Sequence, residues 1–283
     1  MTTLVDGNAL ARDIRADILS AIQATVAQGR AAPRIAILQV TDDPAATQYT
    51  RRLQRTCTET GFEVDVQQLP PDTARQAVVD LVRALSEDVG VHGIQIQVPL
   101  PAHIPLADLL AELDPAKDLD GIHPYNAGLL AQGRPAIVPA TPLGGFEILT
   151  HHGVALSGAR GVVVGRSTPV GRPMALLLLQ HDVTVTVCHT RTRDMAAVIR
   201  EAEIVAVAAG RAGLVTADMI RPGAAVIDFG VNFVDGKTVG DVDPGAAERA
   251  GLFTPVPGGT GPMTTAMLFR NALTLYQKAI GAS

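Results

Sequence analysis

The sequence predicts an α/β fold of two domains: an N-terminal α/β substrate domain and a Rossmann-like nucleotide-binding domain with a parallel sheet. Three observations predict it. Apolar, β-branched runs such as RIAILQV (34–40) alternate along the chain with helical stretches, the pattern of parallel strands covered by helices. The stretch 161–179, GVVVGRSTPVGRPMALLLL, reads as a buried strand, a glycine turn and a helix. Between these regions lie KDLDGIHPYNAG (117–128) and RPAIVPATPLGG (134–145), rich in Gly, Pro and Asp as connecting loops are.

Taken in order, 6–22 places Leu10, Ile14, Ile18 and Ile22 on one stripe of a helix. Residues 34–40 form the first buried strand. Turn chemistry at Asp42, Asp43 and Pro44 opens a helix that ends near Gly61, and 73–88 form a second amphipathic helix with Val78, Leu81, Val82 and Leu85 inward. GIQIQV (93–98) is a strand closed by Pro99 and Pro101. A helix at 146–151 leads into the glycine turn, and strands follow at 183–187, 204–208 and 225–229. TPVPGGTGPM (254–263) reads as a loop before a last helix at 264–280. Domain limits are expected at 1–140 plus a returning C-terminal segment, 258–283, around an inserted nucleotide domain, 141–257.

Composition bounds the function. A chain of 283 residues, 47% hydrophobic, suits two modest domains with ample core. No apolar run is long enough to span a bilayer, and no export signal is expected at the start, so a cytoplasmic protein with no membrane partner is the expectation. Cys57 and Cys188 lie far apart and form no metal-ligand spacing, which fits a reducing compartment and no metal. A net charge of −5, 3% aromatic content and no long basic run argue against nucleic acid. A small-molecule enzyme is the default.

The glycine turn carries the first sharper expectation. Gly165 and Gly171 flank five residues, with Pro173 near the helix start, where a missing N–H matters little. A helix N-terminus offers free N–H groups and a positive dipole end to phosphate, so Gly165, Arg166, Ser167 and Gly171 are candidate dinucleotide contacts. The full three-glycine fingerprint is missing, and a plain strand-to-helix turn is the alternative. About twenty residues on, where the adenosine ribose is tested, the chain gives CHTRTR (188–193) and no carboxylate before Asp194. Thr190, Arg191 and Arg193 suit a 2′-phosphate, favouring NADP over NAD; a solvated surface turn is the alternative.

Several segments together, DPAATQY, GIQIQVPLP, KDLDGIHPYNAG, PATP, GRSTPVGRP, DFGVN and PVPGGTGPMT, resemble the methylenetetrahydrofolate dehydrogenase/cyclohydrolase family. The resemblance covers nearly the whole chain. It implies NADP-dependent oxidation of 5,10-methylenetetrahydrofolate in one-carbon metabolism, tetrahydrofolate substrates, and a homodimer. It also implies roles: Asp120 gripping the pterin amino edge, Tyr49 packing along the substrate, Gln97 beside the reacting carbon, and Val231 on the nicotinamide side. Thr190 stands where a serine near the 2′-phosphate is more usual, and 257–262, with Pro257 and Gly258, line the substrate cleft. From the residues alone, Gln97 mid-strand could equally face solvent.

The chain departs from the family pattern at one chemically decisive place. The family frame Y-x-x-x-K, with a second basic residue two positions on, reads here Tyr49, Leu53 and Arg55. Leucine neither donates nor accepts a proton, and a guanidinium is a poor general base. Arg52 lies about 100° around the helix from Leu53 and is not expected to point into the same place. The expectation is a dehydrogenase whose cyclohydrolase activity is reduced or lost. A fully bifunctional enzyme, an enzyme retuned to another one-carbon substrate, and a non-catalytic folate or NADP binder are the other readings. Ala140 also departs, where many relatives carry Cys. Arg51, Arg52 and Arg55 form a basic cluster read as a solvated helix face, with a polyglutamate contact as the alternative.

Overall fold

The computed structural model describes residues 1–281. In chain order its elements are β1 (Thr3–Leu4), α1 (Gly7–Ala27), β2 (Arg34–Val40), α2 (Pro44–Glu59), β3 (Glu63–Leu69), α3 (Arg75–Glu87), β4 (Gly93–Ile96) and α4 (Leu106–Glu112). There follow α5 (Pro124–Ala131), α6 (Ala140–His151), β5 (Arg160–Val164), α7 (Gly171–Gln180), β6 (Thr184–Cys188), α8 (Met195–Arg200), β7 (Ile204–Val207) and β8 (Ala225–Asp228). The hairpin β9 (Asn232–Val234) and β10 (Lys237–Val239), then β11 (Leu252–Phe253) and α9 (Thr260–Ala279), complete the described chain.

The chain divides into two compact units. One comprises Met1–Arg12 and Leu129–Met267; the other comprises Asp13–Gly128 and the chain from Leu268 onward. The expected limits at 140/141 and 257/258 fall a short way inside the first unit.

In the second unit β2 is central, flanked by β3 and β4, and all three run parallel. Side chains on parallel neighbours at one register point to one face. Ala36, Leu38 and Val40 with Ile94 and Ile96 therefore form one apolar face, packed with Val78, Val82 and Leu85 of α3 and Leu109 of α4. The opposite face carries Ile35 and Ile37 and then turns polar at the strand ends, where Gln39, Gln95 and Gln97 succeed them. Helix α2 buries Thr50, Leu53 and Cys57, and Thr60 just past its end, a 3-4-3 spacing that makes a single seam.

In the first unit six parallel strands take the order β1-β11-β8-β7-β5-β6. The core on one face gathers Val162, Val164, Val205, Val207 and Val226 with Ile199 and Phe253. Strands β6 and β7 lie on opposite sides of β5, so the strand order reverses there, and a crevice at the carboxyl ends is the ligand position such sheets provide.

Four local expectations need correction. The strand expected at 93–98 stops at Ile96, and Gln97 continues the ladder only through its N–H to the Leu38 carbonyl, 2.9 Å. The loops expected at 117–128 and 134–145 contain the start of α5 and of α6. Pro124 opens α5, where a first helical position needs no N–H. The loop expected at 254–263 is helical from Thr260; Pro262 sits in the first turn of α9, where its missing donor is again tolerated. No helix among the described residues is long and apolar enough to cross a membrane.

Candidate active site

Two groups of candidate residues form, one in each unit. In the second unit, Tyr49 comes from α2, Gln97 from just past β4 and Asp120 from the loop between α4 and α5. The loop is held beside β4 by a bridge between Ile94 and Asp118 and by the Leu119 N–H on the Ile94 carbonyl, 3.2 Å. Buried Asp118 is the loop's internal anchor. Its carboxylate accepts from the N–H groups of Ile122 (3.2 Å) and His123 (2.8 Å) and from Asn126 Nδ2 (2.8 Å). Asp120, two residues on, is half-buried and receives none of these donors.

Asp120 sits in a distinctive electrostatic environment. Burial pushes the Asp120 carboxyl up to about 7, and neighbouring Asp118 adds to the rise, while a hydrogen bond from the Gln95 side chain opposes it. Tyr49 lies at the edge of the seam, and burial, then the charge of Asp120, raises its hydroxyl above the usual phenol range. It stays a neutral donor. Gln97 is oriented by donating from Nε2 to the Thr50 hydroxyl, 3.2 Å. Gln39, on the same sheet face, donates to the Thr47 hydroxyl at 3.1 Å.

Leu53 is only 3% exposed, one turn beyond Tyr49 and inside the seam of α2. Arg55 points away, paired with Glu59 at 2.8 Å on the exposed side. Arg52, one residue before Leu53, instead carries its guanidinium over the Tyr49 ring, 5.3 Å from the centroid, a cation–π contact. A cation thus reaches Tyr49 from a neighbouring position, while position 53 supplies only apolar packing.

The first unit holds the turn. Gly165 has φ +119°, and a Cβ there would lie 2.1 Å from the Ala208 carbonyl oxygen at the end of β7. A Cβ on Gly171 would lie 2.3 Å from the Gly165 carbonyl oxygen. Only glycine permits this closure. The Ser167 hydroxyl accepts from the Gly171 N–H at 3.3 Å. Among the described residues no hydrogen bond engages the N–H groups of Arg166 or Ser167, and both residues are exposed beside the start of α7. Beyond β6, the Thr192 hydroxyl accepts from the His189 N–H, 2.9 Å, and His189 Nδ1 from the Arg191 N–H, 3.0 Å. This turn presents Thr190, Arg191 and Arg193 to solvent. The residues fit a phosphorylated dinucleotide: free N–H groups for the diphosphate and hydroxyl and guanidinium groups for a further phosphate.

Val231 is exposed and borders a cavity of about 440 Å³ with Asn8, Gly230, Pro257 and Gly258. Its wall is fixed by two buried carboxylates. Asp241 accepts from the N–H groups of Ala209 (2.6 Å), Gly210 (2.7 Å) and Arg211 (2.8 Å) and from Asn232 Nδ2 (2.9 Å). Asp228 accepts from Gly230, Asp241 and Val242. Burial pushes Asp228 up to about 6 against the pull of those N–H groups. A larger cavity, about 620 Å³, lies at the opposite ends of the strands, lined by residues such as Ser157, Glu203 and Arg221; Arg221 already pairs with Glu203 at 3.3 Å.

Sequence reasoning missed Gln95, Asp118, Asp228 and Asp241. Gln95 had a signal, since the alternation in GIQIQ puts polar side chains on one face of a buried strand. Asp241 had none, because its three backbone partners lie some thirty residues away.

The family comparison decides what this arrangement belongs to. Residues 5–120 match the catalytic domain, and 139–280 the NAD(P)-binding domain, of tetrahydrofolate dehydrogenase/cyclohydrolase. The chain belongs to the tetrahydrofolate dehydrogenase/cyclohydrolase family. Within it, the chain is 53% identical over 280 residues to "Bifunctional protein FolD" of Chloroflexus aurantiacus, covering 98% of each. It is 51% identical over 276 residues to the protein of that name from Roseiflexus castenholzii, covering 96% of each. Among solved structures of the tetrahydrofolate dehydrogenase/cyclohydrolase family, the Campylobacter jejuni bifunctional enzyme FolD superposes with a TM-score of 0.95 at 37% identity, covering 98% of this chain and 99% of that one. The Trypanosoma brucei enzyme, solved with NADP cofactor and an inhibitor, gives 0.91 at 35%, covering 99% and 98%.

Proposed function

We propose that the chain oxidises 5,10-methylenetetrahydrofolate to 5,10-methenyltetrahydrofolate with NADP as hydride acceptor, and that its cyclohydrolase activity is reduced or lost. Family membership supports the oxidation; buried Leu53 is the observation that carries the second half. The oxidation removes a hydride from the bridging methylene, and the two flanking nitrogens share the resulting positive charge. No proton need move at that carbon, so alignment outweighs acid–base catalysis. The nicotinamide, when bound, supplies the hydride acceptor.

The chain's own residues divide the remaining work. Residues 1–140 with 258–283 are assigned to folate and 141–257 to NADP. Asp120, as a carboxylate, accepts from the paired N–H edge of the pterin. Tyr49 lays its ring along the substrate, with Arg52 on that ring, and Pro257 and Gly258 wall the substrate region. Gln97, fixed by Thr50, presents its amide to the reacting carbon. The free N–H groups of Arg166 and Ser167, in the turn that Gly165 and Gly171 close, hold the diphosphate, Thr190 with its arginines the 2′-phosphate, and Val231 borders the nicotinamide. A homodimer in the cytoplasm is proposed from the resemblance.

Hydrolysis of the methenyl product is different. Water must lose a proton as it attacks, and a group able to take that proton contributes about 10²–10⁴-fold. Leu53 cannot take it, and Arg55 is turned away. The bifunctional reading keeps one observation in its favour, the Arg52 cation at Tyr49, together with the names of the relatives. Monitoring NADPH and the methenyl product in one reaction decides between them. Accumulation of the methenyl product nearly one for one with NADPH, after correction for spontaneous hydrolysis, supports a dehydrogenase alone. NADPH without methenyl accumulation supports the bifunctional enzyme, and no NADPH at all sinks the oxidation itself.

A further inference from the structure

Asp118 anchors the KDLDG loop and Asp120 is assigned to the pterin, which leaves the lysine of that stretch without a role. Lys117 ends a single 3₁₀ turn, Pro115–Lys117, and is half-buried. Its Nζ donates to three backbone carbonyls: Leu85 at 3.3 Å, Ser86 at 2.5 Å and Asp88 at 2.7 Å. Leu85 and Ser86 belong to the last turn of α3, and Asp88 follows its final residue. The last carbonyls of a helix lack partners within it and carry the negative end of its dipole. An ammonium offers three donors and no acceptor, so a single lysine can satisfy such a cluster.

The end of α3 is itself a fixed point. Val78, Val82 and Leu85 pack against the sheet. The Asp88 carboxylate pairs with Arg34 of β2 and accepts from the Gly90 N–H at 2.8 Å. From this point the loop is tied step by step. The Asp114 N–H donates to the Ser86 hydroxyl at 3.0 Å, and Asn126 Nδ2 to the Pro115 carbonyl at 3.0 Å. Asn271 Nδ2, from α9, donates to the Leu119 carbonyl at 3.2 Å. Asp120 is the next residue. We propose that Lys117 is a positioning residue for Asp120: its ammonium ties the loop to the end of α3 and so fixes where the carboxylate meets the pterin edge. The inference rests on the proposed folate role of Asp120. A paired N–H edge is matched by a carboxylate only in one placement, and a displacement of about 1 Å forfeits much of the gain.

The test is K117M, which keeps most of the stem and removes the ammonium. Calorimetry with tetrahydrofolate reads pterin binding without turnover. Its Kd should rise about three- to tenfold in K117M, while the Kd for NADP stays within about twofold of wild type. K117R should show a smaller rise, about two- to threefold, because a planar guanidinium fork cannot meet three carbonyls that share one nitrogen. On a D120N background K117M should change the tetrahydrofolate Kd by less than about twofold, since the tie acts through the carboxylate. A merely structural lysine would lower the fraction of binding-competent protein, read as stoichiometry, and leave Kd as it was. An unchanged tetrahydrofolate Kd in folded K117M, or an equal rise on both backgrounds, overturns the inference. Should K117M fail to fold, K117R decides, and a wild-type Kd there overturns it as well. Wild type that binds no tetrahydrofolate sinks the folate reading and this inference with it; equal binding by wild type and K117M sinks the inference alone.

Discussion

Gln97 Nε2 and the Thr50 hydroxyl meet at 3.2 Å and tie the end of β4 to the buried seam of α2. Gln97 sits one residue past the strand, so the ladder alone does not fix its side chain. Removing the acceptor with T50V should free the amide to rotate while preserving shape. The expected result is a five- to twentyfold loss in kcat/KM, against about 1 kcal/mol of stability. Kinetics and urea melts measured together check this, and a stability loss without a kinetic one would deny Gln97 its place beside the reacting carbon.

Leu53→Lys restores a proton acceptor where the family pattern has one. Because position 53 is 3% exposed, the new ammonium loses hydration, and stability should fall by about 2–4 kcal/mol. Desolvation also lowers the lysine's affinity for its proton, which suits a general base. The methenyl product should then disappear at least tenfold faster than in wild type. An unchanged rate in a folded L53K protein would show that the leucine is not what limits hydrolysis.

The raised carboxyls of half-buried Asp120 and buried Asp228 give stability a definite slope with pH. Asp120 at about 7 and Asp228 at about 6 lie above the ordinary carboxylate range near 4. Between those values the folded chain holds protons that the unfolded chain has released. Stability from these groups is therefore greatest in acid and declines as pH rises from about 4 to 7. Urea melts across pH 4.5 to 8 should show Asp120→Asn flattening the upper part of that decline. Parallel curves for wild type and variant would contradict the raised Asp120.

Gly165→Ala should destroy the turn rather than loosen it. The added methyl meets the Ala208 carbonyl oxygen at 2.1 Å, in a backbone conformation that side chains rarely adopt. Two or more kcal/mol of stability should be lost, and the thermal stabilisation by NADP should vanish. Stabilisation equal to wild type would mean that this turn does not carry the diphosphate.

Periodicity made most of the parallel strands and the stripes of α1 and α3 readable, because long apolar runs and 3-4 spacing follow from burial on a sheet or helix face, whereas α2 was placed by the turn chemistry at its start. β2 was legible to the residue. β3 was not: EVDVQQL is half polar because much of it remains partly exposed, which weakens the period-two signal. The early turns of α5 and α9 hid behind Pro124 and Pro262, residues that signal loops yet are tolerated where helices begin. Tyr49, Gln97 and Asp120 entered through family resemblance. The structure added how they are held, by Thr50 for Gln97 and by the Asp118 loop for Asp120. Arg52 over Tyr49 was unreadable in sequence, since which way a long flexible cation swings depends on the ring beside it.

Asp241 gathers three successive amides and a side-chain amide from two separate stretches of chain onto one buried carboxylate. These segments therefore lack independent motion. In hydrogen exchange, Ala209, Gly210 and Arg211 should share one protection factor and open in a single event, because releasing any of them unseats the same anion. The wall beside Val231 then has two conditions, closed or open, with no graded series between them.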